Sequence, residues 1–523
     1  MKAKMVEIYD TTLRDGGQQP GISFSKDDKL RIAEKLDQLG VDYIELGWPG
    51  ANEKDSEVFQ EAKKMKLKNA KFVAFGMTCA KYKNPAEDKQ LAMLIDSGTE
   101  VVAIVGKASR RHVEKVLGVP LEENLRLIRE SCRFLVENQR TVFFDAEHFF
   151  DGFKQDDEYS LDCVRATIEG GVSRVVLCDT NGGSLPWEIE SIVAEVKNKL
   201  EIPIGIHVHN DGEMAVASSL AAIKAGADQV QVTVNGYGER CGNANLCSVI
   251  PALKAKMLLP CLLEENMTQL TNLARFTAEI ANLPLNSQQP YVGNSAFRHK
   301  AGLHVNAISK DPDSYHHIKP EAVGNVSSVA VSELSGRSNI EIKAKEFGIL
   351  LDSEQAKKVL KQVENLENKG FQFEGADGSL KLIMMRQQDG YARPFKILSR
   401  DVRSQQHGQE DPVDSAIVKV DINGGVNNIA YQVADGDGPV NALDNALRKA
   451  LMPSFSYLEK VKLIDYKVRV LPGEKGTAKP VRVLVDFSDG SENWTTTGCS
   501  TDSIEASLQA LTDGLEYVIL KAH

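Results

Sequence analysis

Asp10-Thr11-Thr12-Leu13-Arg14-Asp15-Gly16-Gly17-Gln18 follows directly on the apolar run Val6-Glu7-Ile8-Tyr9. A cation and a carboxylate therefore stand side by side at the end of the first predicted strand. Much later, His207-Val208-His209-Asn210-Asp211 places two imidazoles at alternate positions, again at the end of an apolar run, Ile204-Gly205-Ile206. Side chains two apart on a strand face the same way. If both strands belong to one parallel barrel, Asp15, His207 and His209 converge on one divalent ion with Arg14 beside it.

Working outward from those two stretches, a pattern repeats from residue 6 to about residue 255: a short β-branched or apolar run, a polar loop, then an amphipathic helical stretch. Strands are expected at 6–10, 43–47, 72–76, 101–106, 141–145, 174–179, 203–209 and 229–235. The segment 25–39 illustrates the helices between them. Ser25 can cap it, Leu30, Ala33, Leu36 and Leu39 make one apolar stripe, and Gly40 ends it. Eight such units in about 250 residues are the signature of a (β/α)8 TIM barrel. A doubly wound sheet is the alternative, but it has no reason to load each strand's C-terminal end with polar residues. That loading is pronounced: Arg14, Asp15, Gln18, Glu45, Thr78, Glu147, Asp179, Thr180, His207, His209 and Asn243 all fall there. In barrels the active site lies on that face.

The whole chain has 523 residues, too many for one ordinary core, and 42% of them are hydrophobic. No apolar run approaches the roughly 18 residues of a membrane span and no signal pattern opens the chain, so a cytoplasmic location is expected and a membrane partner is not. The 62 Lys and Arg against 73 Asp and Glu leave a formal charge of -11 with no basic block, which argues against nucleic acid. The eight cysteines include no Cys-x-x-Cys pair and most read as small buried thiols, while Cys178 and Cys241 lie near predicted site loops without an obvious activating neighbour.

The chain divides into a barrel over 1–280, a linker with helical subdomains over 281–400, and a C-terminal domain over 401–523. Within the middle part, 262–283 reads as helical, Gly302-Leu303-His304-Val305-Asn306 leads to Tyr315, and a helical pair runs from Ser335-Gly336 to Phe371. Residues 400–414 are polar, without apolar periodicity, and read as a linker or mobile loop. The last part is duplicated. Val418-Lys419-Val420-Asp421-Ile422 and Val481-Arg482-Val483-Leu484-Val485 alternate as strands, each followed by a helical stripe: Val440, Leu443, Leu447, Ala450, Leu451, then Ile504, Leu508, Leu511, Leu515, Val518. Two pseudo-symmetric strand-strand-helix units with open edges favour association with a second copy.

Two neutral imidazoles, a carboxylate and an amide oxygen suit a divalent cation with positions left for a bidentate oxygen ligand such as a 2-oxo acid. The cation would act as a Lewis acid on the keto carbon, and Arg14 would stabilise the developing oxyanion. Each residue also has a structural reading: a His-x-His can be two packing histidines, and Arg14-Asp15 a local salt bridge. Glu147, after Phe143-Phe144-Asp145-Ala146, could bind substrate, act in acid-base chemistry, or only hold Arg14. His148, Trp48 and Phe150 read as packing.

The 10–18 stretch, His207-Val208-His209-Asn210-Asp211 and Asn235-Gly236-Tyr237-Gly238-Glu239-Arg240-Cys241-Gly242-Asn243 together resemble the 2-isopropylmalate synthase, homocitrate synthase and citramalate synthase family. The resemblance extends through residues 293–304 to Tyr315 and into the C-terminal duplication, which is similar to that family's regulatory domain. Gly17, residues 46–52 and residues 147–152 most resemble the citramalate branch. The resemblance implies a metal-dependent condensation of acetyl-CoA, as co-substrate, with a 2-oxo acid. Pyruvate is favoured as that acid and 2-oxoisovalerate is the runner-up. By position it implies Asp15, His207, His209 and Asn243 as ligands of a Mg, Mn or Zn ion, and Arg14, Gln18 and Thr180 as substrate contacts. It further implies Glu147 in positioning or enolisation, and His304 and Tyr315 as catalytic residues in a segment that crosses to a neighbouring subunit in a homodimer. An isoleucine effector is expected at the C-terminal domain. A carbon-carbon lyase on a related barrel would lack residues 416–523, and a pure amino-acid sensor would not need Arg14, Asp15, His207 and His209.

Overall fold

The computed structural model describes residues 5–50, 53–263, 265–299, 304, 307–308, 310–329, 337–373, 375–406, 413–422, 428–471, 479–490 and 492–522. It separates into two compact units, one of residues 1–297 with 316–327 and one of residues 298–315 with 328–523. Gly302, Leu303, Val305 and Asn306 lie outside the described residues, as do Ser335, Gly336 and the 51–52 end of the 46–52 resemblance.

The first unit is the closed barrel that the alternating pattern demands. Its strands are β1 Glu7–Asp10, β2 Tyr43–Gly47, β3 Lys71–Met77, β4 Val101–Lys107, β5 Thr141–Glu147, β6 Arg174–Asp179, β7 Ile204–Val208 and β8 Gln229–Val232. They pair in parallel and in order, and β1 closes on β8 with Glu7 opposite Gln229. The first helix, Lys26–Leu39, starts and stops where its sequence says. The Ser25 hydroxyl accepts from the Asp28 amide at 3.1 Å, the Asp28 carboxylate accepts back from the Ser25 amide at 2.8 Å, and Gly40 turns left-handed at φ 91°. Inward-facing Tyr9, Val73, Phe75, Val101, Ala103 and Phe143 fill the barrel. The helices pack outside it on Ile32, Leu36, Leu127 and Ile189. The eighth strand stops short of the expected residue 235, because Asn235 takes φ 60° in a tight turn over Val234–Gly236.

In the second unit three helices, Arg337–Glu346, Ser353–Glu367 and Asp377–Met385, share a small core of Ile340, Val359, Phe373 and Ile383. Beyond them the duplication is larger than the sequence pattern indicates, because each repeat has three strands. The first is β9 Phe395–Gln405, β10 Val413–Ile422 and β11 Ile429–Gly436 with helix Pro439–Leu451; the second is β12 Lys462–Val470, β13 Val481–Ser488 and β14 Asn493–Ser500 with helix Ser503–Lys521. All pairings are antiparallel. The linker expected at 400–414 is corrected here: its described residues belong to a hairpin, β9 against β10, with Gln405 opposite Val413. Residues 400–405 pair regularly, yet all except Val402 are polar and all are partly or fully exposed, so this end of the hairpin has no apolar period to read. No helix of the described residues is long and apolar enough to cross a membrane.

Candidate active site

The loop after β1 turns tightly, with the amides of Arg14, Asp15 and Gly16 all donating to the Thr11 carbonyl. This turn carries Asp15 into the barrel mouth, where it is 2% exposed. His207 is in β7, and His209 follows it in a short bridge to Asn243. Nε2 of His207 lies 3.4 Å and Nε2 of His209 4.0 Å from Asp15 Oδ2, and the three donor atoms fall within 4.8 Å of one another. Such separations are ones that two bonds of about 2.1 Å to a shared ion can span. Asn243 closes the group: its amide nitrogen is 3.1 Å from Asp15 Oδ2 and 3.4 Å from His207 Nε2. Its buried Oδ1 has no hydrogen-bond partner among the described residues, and neither has His209 Nδ1. Turning the amide over would add an oxygen to the ring of donors. The loop can wrap Asn243 this closely because residues 238 and 242 are glycines. A Cβ at Gly238 would sit 1.9 Å from Asn243 Oδ1, and one at Gly242, where φ is +88°, 2.0 Å from the Gly236 carbonyl oxygen.

Electrostatics leave these groups in the protonation states a metal ligand needs. Burial lowers the His207 pKa, Arg14 adding to the effect against Asp15, and burial with the neighbouring His207 lowers that of His209 to about 4. Both imidazoles are therefore neutral near pH 7, with lone pairs to give. Burial would raise the Asp15 pKa, but Arg14 and the two histidines overcome it and hold the carboxyl at about 2. Gln231 on β8 lies 2.8 Å from His207 Nδ1 through Oε1. Accepting there leaves Nε2 unprotonated and facing Asp15. Gln231 in turn donates to Asp145 at 3.3 Å.

Arg14 is fixed by a residue that sequence reasoning put on this face without a role. Glu45, fully buried in the middle of β2, accepts from Arg14 Nε at 2.5 Å, Thr11 Oγ1 at 2.5 Å and the Tyr9 hydroxyl at 2.6 Å. Phe75 supports the guanidinium from one face, 3.9 Å from ring centroid to Cζ. Burial alone would lower the Arg14 pKa, but Glu45 and then Asp15 raise it, so the cation is permanent. The signal for Gln231 was the polar alternation Gln229-Val230-Gln231-Val232 on an otherwise apolar strand.

The other expected residues are placed as follows. Glu147 ends β5 opposite Lys107 and is ion-paired to it, so holding Arg14 is not its task. The Thr180 hydroxyl accepts from the His148 amide at 2.8 Å, and Gln18 is exposed on the Gly16–Gln18 turn. Asp179 binds the amide and hydroxyl of Ser184, each at 3.1 Å, which shapes its own loop. His148 stacks on His112 at 3.7 Å and Phe150 is fully buried, as packing residues are. His304 and Tyr315 stack on each other at 4.4 Å in the second unit. No cysteine forms a disulfide, and burial pushes the Cys178 thiol well above its ordinary value.

The HMGL-like family model matches residues 5–277, a homocitrate synthase post-HMGL domain-like model residues 291–370, and the LeuA allosteric (dimerisation) domain residues 374–519. The chain is 48% identical over 521 residues to an (R)-citramalate synthase of Geobacter sulfurreducens, covering 99% of this chain and 98% of the relative. It is 48% identical over 524 residues to another of Aquifex aeolicus, with the same coverage. A probable 2-isopropylmalate synthase of Methanopyrus kandleri is 32% identical over 524 residues, 98% of this chain and 97% of the relative.

Proposed function

The chain belongs to the (R)-citramalate synthase family of HMGL-like acyltransferases, and from that premise we propose that it condenses acetyl-CoA with pyruvate and water to give (R)-citramalate and CoA. The observation that carries the reading is the buried group of Asp15, His207 and His209 with the Arg14 guanidinium held beside it. Asp15, His207, His209 and the amide oxygen of Asn243 would hold a divalent metal, Mg, Mn or Zn, which supplies Lewis acidity at the keto group of the oxo acid. Their neutral imidazoles, single carboxylate and partnerless amide oxygen suit that ion.

This chain's own residues do the rest. Arg14 donates to the keto oxygen as it gains charge, and Glu45 keeps the guanidinium from swinging away. Thr180 and Gln18 contact the oxo acid, and Glu147, with Lys107, orients the acetyl group. His304, stacked on Tyr315, takes the proton from the acetyl-CoA methyl. The carbanion adds to the keto carbon, and water then cleaves the thioester. A thioester α-proton is weakly acidic, so its removal requires donors in a water-poor site. If His304→Ala kept the condensation rate within a few-fold of wild type with metal content unchanged, the base lies elsewhere.

Substrate choice rests on the greater likeness to citramalate synthases, since one methylene in an apolar pocket discriminates by only about 1–3 kcal/mol. The 2-isopropylmalate synthase relative supports the second reading, with 2-oxoisovalerate as acceptor. Thiol release from acetyl-CoA with each oxo acid in turn decides between them: faster release with 2-oxoisovalerate would reject pyruvate. We also propose that the C-terminal domain joins two chains and binds isoleucine, the end product expected for a citramalate route. Support comes from the matched allosteric domain and the duplicated sheets. Removing everything after residue 390 would be a poor test, because Arg386 is bonded to Asp513 and Glu516 and Lys381 to Glu492. Titrating isoleucine into the intact enzyme is the better one, and undiminished turnover at millimolar isoleucine would reject the effector.

A further inference from the structure

Asp145 takes no part in the proposed chemistry, and its surroundings give no plain packing reason for an acid. It stands on β5 two residues after Phe143, on the same inward face, just above the apolar layer to which Phe143 belongs. It is 3% exposed, and it is not one of the Asp15, His207 and His209 group whose donor atoms could share an ion. Among the described residues its one side-chain hydrogen bond crosses the interior to β8, where Gln231 Nε2 donates to Asp145 Oδ1 at 3.3 Å. Strands β5 and β8 are not neighbours in the barrel, so backbone pairing does not bring these side chains together. A buried carboxyl with a single such bond costs stability that an apolar side chain would not, and costs of this kind are kept at functional sites.

Gln231 supplies the link. Its Oε1 lies 2.8 Å from His207 Nδ1, and both side chains are buried. An amide can face either way, and the two ways leave His207 in different states. With Oε1 on Nδ1 the ring proton stays on Nδ1, and His207 Nε2 keeps its lone pair. With the amide reversed, its N–H would donate to Nδ1 and the proton of the neutral ring would sit on Nε2. There it would meet Asp15, whose Oδ2 is 3.4 Å away. A charge-assisted bond between the two would occupy both donor atoms. Asp15 thus favours the tautomer that cannot bind a metal, and the amide has to be held against it. Asp145 does this: by accepting from Gln231 Nε2 it leaves Oε1 for His207, and Oδ1 accepts whether or not the carboxyl carries a proton on Oδ2.

We propose that Asp145 is a positioning residue: by orienting the Gln231 amide it keeps the His207 proton on Nδ1 and so keeps Nε2 available to a divalent ion. The inference rests on the reading of Asp15, His207 and His209 as metal ligands and adds a residue two hydrogen bonds away from the ligating nitrogen.

The test reads the proton and the metal separately. In metal-free protein carrying heavy nitrogen in its histidines, the ring-nitrogen chemical shifts of His207 are assigned by their loss in His207→Asn. They should show a protonated Nδ1 and a bare Nε2 in the wild type and in Asp145→Asn, whose amide oxygen can still accept. Asp145→Val has no acceptor. It should move the proton to Nε2 and weaken Mn(II) binding, followed by the free-ion paramagnetic resonance signal, about 10–100-fold, the usual effect of losing such a partner. Gln231→Glu offers His207 an acceptor on either oxygen and needs no orienting, so adding Asp145→Val to it should change Mn(II) affinity by no more than about threefold. A side chain that merely fills space would cost the same in both backgrounds. A bare Nδ1 in the wild type, ring shifts and Mn(II) affinity unchanged by Asp145→Val, or an equal loss in both backgrounds would overturn the proposal while leaving the metal site standing. Wild-type protein with no Mn(II) binding that Asp15→Asn weakens would overturn both.

Discussion

Arg14 and Asp15 are adjacent in sequence and 3.4 Å apart in space, yet they serve different partners. Asp15 faces His207 and His209, whereas Arg14 leans away into Glu45 and Phe75. Their substitutions should therefore fail differently. Asp15→Asn is expected to lower metal affinity by 10-fold or more, while Arg14→Ala should retain the metal and lower kcat about 10²–10³-fold, the usual loss of one transition-state donor. Metal titration beside steady-state kinetics checks this, and equal metal loss in both would refute the division. Spacing made Asp15, His207 and His209 legible, because alternate strand residues share a face. Glu45 and Gln231 were not legible as supports, because their importance lies in burial and in the partner each meets on a neighbouring strand. Asp145 belongs with them. Burial first, and then Glu45, push its carboxyl up to about 8, against Arg14. In the unfolded chain the same group releases its proton near 3.9. Between those values the native state holds the extra proton, so this group's contribution falls as pH rises, by at most about 1.4 kcal/mol per unit. Asp145→Asn has no proton to lose. Unfolding midpoints of the metal-free wild type and variant should lie close near pH 4 and separate by pH 9 with the variant higher; a pH-independent difference would show that the carboxyl titrates normally.

At the scale of elements, the legible parts are those whose signals are local. The helix Lys26–Leu39 was readable from Ser25 to Gly40 because cap, stripe and terminator all lie within it. The β9–β10 hairpin was not, because its end at residues 400–405 is polar but for Val402 and partly or fully exposed. Strand β11 of the first repeat and β12 of the second escaped for a related reason: both leave much of their surface exposed and so lack a one-sided apolar pattern. The helix Ser503–Lys521 poses a question of sign. Gly514 lies within it, and replacing a helical glycine with alanine ordinarily gains about 1 kcal/mol. Here the added Cβ would lie 2.1 Å from the buried Phe487 ring, which stacks on Trp494, whose indole nitrogen donates to the Gly514 carbonyl at 3.2 Å. Overpacking of this kind costs about 1–3 kcal/mol. The clash should win, so Gly514→Ala should lower the denaturation midpoint of the enzyme, whereas a rise would mean that the Phe487 ring yields.

At the scale of the whole molecule, the proposed catalytic residues are divided between two compact units, Asp15, His207 and His209 in one and His304 and Tyr315 in the other. The second unit also leaves Ile429, Tyr431 and Val433 on β11, and Ile464, Val468 and Val470 on β12, apolar and exposed, and it matches a dimerisation domain. If two chains associate and His304 serves the barrel of its partner, defects in Asp15 and His304 should complement one another. In a heterodimer of Asp15→Asn with His304→Ala chains, one site would carry both defects and the other neither. If His304 instead serves its own barrel, each site carries one defect and none works. Random pairing makes half the dimers mixed, and half the sites in those intact, so mixing two inactive variants should restore about a quarter of wild-type turnover. The measurement is CoA release after co-expression of the two chains, with each variant alone as the baseline. Activity no higher than that baseline, in a mixture shown to contain heterodimers, would place His304 in the service of its own chain or outside the chemistry.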